Sequence, residues 1–294
     1  MGVSSAIWKS VAITISVVAE EAVAALLVEL GADGVAVSGK GDLVEVTAYF
    51  PDVESRSRLA EDIQTRIAAL QEYLDITGFS LAISDIAQAD WEQNWKQYYA
   101  PARLTRYLTI VPSWSDDYAI SSGEKIIKLD PEMTFGTGTH PTTVLALYAL
   151  EQTLRGGEAV IDVGTGSGVL AIAAVLLGAS RVIATDVAED AVAVARANIA
   201  LNNVSESVEL RVSDLLVDVT EAPDLIVANI LAEVLVNLID DSAQLLQPNG
   251  HLILSGIYYD KVSLILERVK QAGLEVKTQM AQGDWHCVIA AKCN

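Results

Sequence analysis

Cysteine, histidine and basic side chains are all scarce in this sequence. Its two cysteines, Cys287 and Cys293, are too few for a disulfide framework or a cysteine-rich zinc site, and they fit a reducing compartment. The three histidines, His140, His251 and His286, have no partners at metal-ligand spacing, so no metal is expected. Lys and Arg number 19 against 39 Asp and Glu, a formal net charge of −20. Phosphate backbones are gripped by clustered Lys and Arg, which argues against a general nucleic-acid binder, whereas a basic partner would be steered in. Long hydrophobic runs are missing too. The longest, VLAIAAVLLGA, falls far short of the ~20 residues that span a bilayer, and no membrane attachment is expected. Near the start, VAITISVVA alternates in part and is followed by an acidic helix-like segment. It therefore reads as a first β-strand and not as a signal-peptide core, which places the protein in the cytoplasm.

What is present is a chain of 294 residues, 51% of them hydrophobic, enough for one large or two smaller globular domains. Its first part reads strand (11–18), helix (20–30, stopped by Gly31), strand (34–38), strand (42–49), helix (52–71) and strand (80–87). This β-α-β-β-α-β order is that of a small ferredoxin-like α+β domain, placed at 1–89. Residues 90–130 differ in composition. They hold seven of the seventeen aromatics, Trp91 and Trp95 among them, and their acids and bases balance where both flanks are acidic. They read as a linker leading into a second domain, with Trp91 and Trp95 on one helix face as a staple. From 131 to 294 the pattern alternates: helix (141–153), strand (159–163), helix (168–177), strand (181–185), helix (188–200), strands (207–212, 224–228), helix (231–246), strand (250–255), helix (260–272) and strands (274–280, 285–291). Alternation implies a mostly parallel α/β sheet of Rossmann-like type with helices on both faces. The two closing strands predict a hairpin that turns the last one antiparallel.

Two glycine-rich runs carry the chemistry. AVIDVGTGSGVLAIAA (159–174) is an apolar strand, a tight turn and a helix in succession, with Gly164, Gly166 and Gly168 permitting close backbone approach to a ligand. The spacing is G-x-G-x-G, with Val169 where a dinucleotide fold has its last glycine, and no G-K-[ST] follows. Asp186 ends the next strand, placed either to accept from ribose hydroxyls or to cap the helix behind it. Asn229 ends the strand in APDLIVANIL, where its amide carbonyl could accept from an attacking amine or could simply end a strand. The earlier run, DPEMTFGTGTH (130–140), stands before a helix that Pro141 opens.

G-x-G-x-G followed by a second-strand acid resembles motif I and its partner in class I S-adenosylmethionine-dependent methyltransferases. DWEQNWKQYYAPARL, VPSW, FGTGTHPTT, DVGTGSGVLAIAA, ANIL and LSGI occur in the order and spacing of the PrmA family, which methylates ribosomal large-subunit protein 11. The resemblance spans essentially the whole chain, and FGTGTHPTT is its most specific part. It implies a Rossmann-like class I methyltransferase domain at 131–294 and an N-terminal ferredoxin-like domain for substrate recognition, with a linker between them that lets that domain swing. The implied activity is methyl transfer from S-adenosylmethionine to lysine ε-amines and the N-terminal α-amine of that basic ribosomal protein, by a monomer. Thr143, Gly164, Asp186 and Asn229 are the cofactor contacts it implies. Gly166, Asp162, Phe135, Gly136 and Thr137 are expected beside them, with residues 135–143 folded over the methionine end and Asn229 also orienting the amine. Thr165 departs from the family's usual Cys, and Glu132 and Thr134 from its Gly and Ala. The residues alone also fit a methyltransferase of another protein or small amine, or an inactive S-adenosylmethionine-binding module. His140 could be a general base by type, but its place before Pro141 suits a helix-start residue better.

Overall fold

The computed structural model describes residues 7–32, 34–39, 42–50, 56–71, 76–87, 100–115, 117–130, 139–217 and 219–293. The chain divides into two compact units, Met1–Tyr99 and Ala100–Asn294. Among the described residues no helix is long and apolar enough to cross a membrane.

The first unit runs β1 (Ile7–Ser16), α1 (Glu20–Glu29), β2 (Gly34–Ser38), β3 (Leu43–Phe50), α2 (Arg56–Leu70) and β4 (Ser80–Ala87). Its strands form an antiparallel sheet in the order β2-β3-β1-β4. Alternation does the work here: Val11, Ile13 and Ile15 of β1 all face one side and are fully buried, joined by Val44, Val46 and Ala48 of β3. Ile63 and Ile67 of α2, four residues apart, close over that face. β1 begins and ends earlier than the sequence suggests. Ser16 accepts from the Val18 N–H at 3.4 Å and turns the chain into a short 3-10 segment at Val17–Ala19, leaving Val17 and Val18 in solvent.

The second unit opens with a three-stranded sheet that no periodicity announced: β5 (Ala102–Arg103), β6 (Leu108–Pro112) and β7 (Lys125–Leu129), in that order. Then come α3 (Pro141–Thr153), β8 (Ala159–Val163), α4 (Val169–Leu176), β9 (Arg181–Asp186), α5 (Glu189–Leu201), β10 (Val208–Val212), β11 (Leu225–Asn229), α6 (Ala232–Leu245), β12 (His251–Tyr258), α7 (Val262–Gln271), β13 (Leu274–Gln282) and β14 (Trp285–Lys292). The large sheet has the order β10-β9-β8-β11-β12-β14-β13. The first five strands are parallel, and β14 lies antiparallel between β12 and β13, as the terminal hairpin predicts.

Both faces of this sheet are covered, so its central strands read as continuous apolar runs. Val160, Val182, Leu225 and Val227 face α3, α4 and α5 in one core cluster. Their strand neighbours Ile161, Ile183, Ile226 and Ala228 face α6 and α7 in the other. The chain moves outward from β8 to β9 and β10, then returns to place β11 on the far side of β8. That reversal opens a crevice at the carboxyl ends of β8 and β11, the place where open α/β sheets bind ligands.

Replacing Ile13 with Ala should lower the stability of the first unit by about 3 kcal/mol, the usual cost of a large-to-small change in a packed core. Hydrogen exchange across β1, β3 and β4 as a function of urea would show it, and protection equal to that of the unaltered chain would contradict the packing described.

Candidate functional site

The turn after β8 is held by the end of β9. The N–H groups of Gly164 and Thr165 both donate to the Thr185 carbonyl at 2.9 Å, and the Gly166 N–H donates to Asp186 Oδ2 at 2.9 Å. Gly164 and Gly166 take φ of 70° and 51°, which L side chains adopt at a cost. At Gly164 space is short as well: a Cβ there would lie 2.4 Å from Ile230 Cγ2. The first glycine of the motif is thus demanded by β11's continuation, 66 residues further on.

Asp162 lies beneath this turn, 1% exposed. Its Oδ2 accepts from the Thr165 hydroxyl (2.6 Å) and the Ala171 N–H (3.1 Å), so Thr165, where the family has Cys, supplies a hydrogen bond to a buried carboxylate. Oδ1 is buried with no hydrogen-bond partner among the described residues. Burial above all, with the nearby negative charge of Asp186, pushes the Asp162 carboxyl up to about 6.

Asp186 is half-buried and serves two backbone donors: Gly166 N–H on Oδ2, and Ala188 N–H on Oδ1 at 3.0 Å. Asp186 does not cap α5, whose N-cap is Ala188 with no side-chain cap bond; a carboxylate offers about four lone-pair sites, and these donors engage two of them. The residue shapes the turn and the approach to α5, and it retains acceptor capacity at the sheet's carboxyl edge.

Asn229 ends β11 beside the same turn. Its Nδ2 donates to Thr143 Oγ1 at 3.3 Å, joining two residues 86 apart. This leaves the amide's carbonyl oxygen as its acceptor for a ligand. Thr143 is buried in the first turn of α3, and that turn is tied down by Ser255, opposite Asn229 in register, whose hydroxyl donates to the Thr142 carbonyl at 2.7 Å. Next in the LSGI run, Gly256 takes φ of 84° where the β12–β14 pairing shifts register, and a Cβ there would sit 2.3 Å from the Ile230 carbonyl oxygen. No task for LSGI follows from the sequence alone. The structure gives it one: close backbone packing against the residue that follows Asn229.

His140 caps α3, its ring nitrogen accepting from the Thr142 N–H at 3.3 Å, with Pro141 at the first helical position. It is the helix-start residue the Pro suggested. The buried side chain of Asn198 is a second contact that no sequence signal flagged. Its Nδ2 donates to the Ser167 carbonyl (2.9 Å) in the glycine turn, and its Oδ1 accepts from the Asp130 N–H (3.1 Å). One α5 amide thereby fastens the turn to the residue where DPEMTFGTGTH begins. Phe135, Gly136 and Thr137, with Glu132 and Thr134, lie outside the described residues.

A reversed parallel sheet, a glycine turn after its central strand and an acid ending the next strand define a class I methyltransferase domain. The profile of the ribosomal protein L11 methyltransferase (PrmA) family matches residues 7–293, and the chain belongs to that family. It is 44% identical to the ribosomal protein L11 methyltransferase of Lactococcus lactis subsp. cremoris (strain MG1363), over 97% of this chain and 96% of that one. To the ribosomal protein L11 methyltransferase of Streptococcus pneumoniae (strain ATCC 700669 / Spain 23F-1) it is 46% identical with the same coverage. The crystal structure of a ribosomal protein L11 methylase from Lactobacillus delbrueckii subsp. bulgaricus superposes with a TM-score of 0.64 at 38% identity, covering 67% of this chain and all of that one.

Gly256→Ala should cost clearly more stability than Gly283→Ala. Both glycines have positive φ, 84° and 59°, but a Cβ at Gly283 meets nothing within 4 Å. Left-handed strain alone costs about 1–2 kcal/mol, and overpacking adds about 1–3. Urea midpoints of the two variants measure the gap, and equal midpoints would show that the Ile230 contact is not tight.

Proposed function

We propose that this chain transfers methyl groups from S-adenosylmethionine to amino groups of ribosomal protein L11, lysine ε-amines and the N-terminal α-amine, in the cytoplasm and as a monomer. The observation that carries the acceptor side is the Asn229–Thr143 pair at the crevice, with the amide nitrogen committed and its carbonyl oxygen left to accept. The N-terminal domain read at residues 1–89, within the first unit, would read the substrate through its split-βαβ fold, and the acidic chain, at −20, suits a basic ribosomal protein. No direct contact with nucleic acid is part of this reading.

Asp162 supports the cofactor. A buried carboxylate with an unpartnered oxygen is costly to keep, and a second carboxylate across the glycine turn makes it costlier. A cationic ligand offsets both. S-adenosylmethionine is such a ligand and carries no phosphate, which agrees with the missing phosphate-loop lysine. Thr143, Gly164, Gly166, Asp162, Asp186 and Asn229 would hold it, with Phe135, Gly136 and Thr137 from the neighbouring run. When bound, it supplies an already activated methyl group.

The protein's own task is then alignment and proton management. Displacement needs the amine lone pair in line, and correct placement of two reactants is worth several powers of ten in rate. Asn229 Oδ1 accepts one amine N–H and so fixes the direction of the lone pair. The amine must first be neutral, and a lysine of pKa about 10.4 is neutral only about once in a few thousand at pH 7. A strongly acidic surface makes this worse, so the last step of approach has to strip water from the ammonium, which lowers its pKa and lets bulk water take the proton.

Isotope transfer from labelled S-adenosylmethionine into unmethylated L11, followed by intact mass, tests the function. Mass gains in single methyl steps on amines are expected, and Asn229→Ala should lower kcat by roughly 100-fold. Cofactor binding without transfer would identify an inert binding module, and undiminished turnover in the variant would remove Asn229 from its role.

Asp162 yields a separate expectation. Its folded value, about 6, lies above the ordinary 3.8, so the folded state holds the extra proton between these values and stability falls as pH rises through that window. The loss levels off above about pH 6 at roughly 3 kcal/mol. Cofactor affinity should run the other way, rising from pH 5 to 7.5. In Asp162→Asn both dependences should flatten, with weaker binding at pH 7.5. Calorimetric titration and thermal melts across that range measure them, and a pH-independent wild type would refute the assignment.

A further inference from the structure

We propose that Asn198 is a positioning residue for S-adenosylmethionine: it fixes the last peptide of the glycine turn before the cofactor arrives, and so sets cofactor affinity through the backbone. This rests on the cofactor reading above. Asn198 lies on α5 with its side chain fully buried, so both ends of its amide need partners. It has two. Nδ2 donates to the Ser167 carbonyl at 2.9 Å, and Oδ1 accepts from the Asp130 N–H at 3.1 Å.

Three glycines let the turn take several shapes, and bonds have to choose among them. The Gly164 and Thr165 N–H groups are held by the Thr185 carbonyl and the Gly166 N–H by Asp186, which fixes the first half. The second half is the Ser167–Gly168 peptide. Gly168 is the N-cap of α4, with φ of 81° and no side chain to bond the helix, so rotation of this peptide meets no Cβ. Its N–H donates to the Thr165 carbonyl at 2.9 Å, and its carbonyl is the one that Asn198 holds. α5 comes close enough because Gly168 leaves room: a Cβ there would lie 3.3 Å from Ala195 Cβ, about one helical turn before Asn198.

The same helix face grips β7. As an edge strand, β7 points the backbone groups of alternate residues away from β6, and these need partners elsewhere. Asn202, the C-cap of α5, serves Lys128 twice: its Oδ1 accepts from the Lys128 N–H at 2.8 Å, and its Nδ2 donates to the Lys128 carbonyl at 2.7 Å. Asp130, two residues on, is taken by Asn198. Four residues of helix rise about 6 Å and two residues of strand about 6.6 Å, so amides at 198 and 202 match the repeat of the strand they cover. Asn202 bonds β7 and its own helix, whereas Asn198 continues to the glycine turn. The two amides share the task of holding β7 and differ in the bond to Ser167.

Direct titration of S-adenosylmethionine into the full chain tests this. Asn198→Ala should raise the cofactor Kd about tenfold, the net value of one buried hydrogen bond, and leave the KM for L11 at saturating cofactor within about twofold. Asn202→Ala should lower the urea midpoint comparably yet leave the cofactor Kd within about twofold. Hydrogen exchange of the cofactor-free chain should quicken at Gly168 in the first variant and not in the second. Asn198→Asp adds a pH signature. Burial holds its carboxyl protonated at low pH, where it donates to Ser167 and accepts from Asp130; ionised, it sets a negative charge against the Ser167 carbonyl. Its cofactor Kd relative to wild type should be near one at about pH 5.5 and about tenfold higher at about pH 8.5. That series decides the matter should Asn198→Ala fail to fold. An unchanged Kd in Asn198→Ala, an equal rise in Asn202→Ala, or a ratio that does not climb with pH overturns the positioning role alone. A wild type that takes up no S-adenosylmethionine overturns the cofactor reading with it.

Discussion

Three backbone N–H groups donated to the end of β9 are what the rest of the second unit depends on. Gly164 and Gly166 bring no side chains to the turn and the Thr165 hydroxyl reaches down to Asp162, so the shape of its backbone is set by the Thr185 carbonyl and the Asp186 carboxylate. Each such bond is worth about 1 kcal/mol net, modest singly but enough together to fix one conformation. Fixing it places Asp162 below, lets Ile230 pack against Gly164, and so sets where β11 ends and Asn229 stands. Through Asn198 the same turn is joined to Asp130, the residue at which the earlier glycine-rich run begins.

Charge is distributed by purpose in this protein. Two carboxylates, Asp162 and Asp186, stand around the glycine turn. At the end of β11, beside the same turn, the polar group is an uncharged amide, Asn229. Both choices come from the same electrostatics: a neighbouring negative charge stabilises the protonated form of an amine, and is helpful only where that form never has to change.

Nearly all of the large sheet was legible, because its strands are short apolar runs bounded by turns and its helices have caps and glycine stops. The strand at 159–163 and the helix at 141–153 match to the residue. β5, β6 and β7 were missed for a physical reason. β5 has only two residues, and the apolar LTIV of β6 and II of β7 lie in a segment whose aromatics and mixed charge marked it as a linker. In the site, the residue types Gly164, Asp186 and Asn229 stood out by position, whereas what each one touches did not. Asn198 to Asp130, Gly256 to Ile230 and Trp285 to His140 are contacts between segments far apart in the chain, and nothing local in either segment reports the other. Asp186 shows the limit well, since its place at the end of a strand stood out while its bond to the Gly166 N–H, twenty residues back, did not.

β14 is inserted between β12 and β13 although it follows both in the chain. During synthesis, therefore, β13 emerges with nothing to pair with, and β12 waits with one edge bare. Domains tend to fold as units while the chain grows, from the N-terminal side. Here closure of the sheet has to wait for Trp285–Lys292 to leave the ribosome. The strand that closes the sheet also brings in Trp285, so His140 at the start of α3 gains its contact with that ring only once β14 is in place.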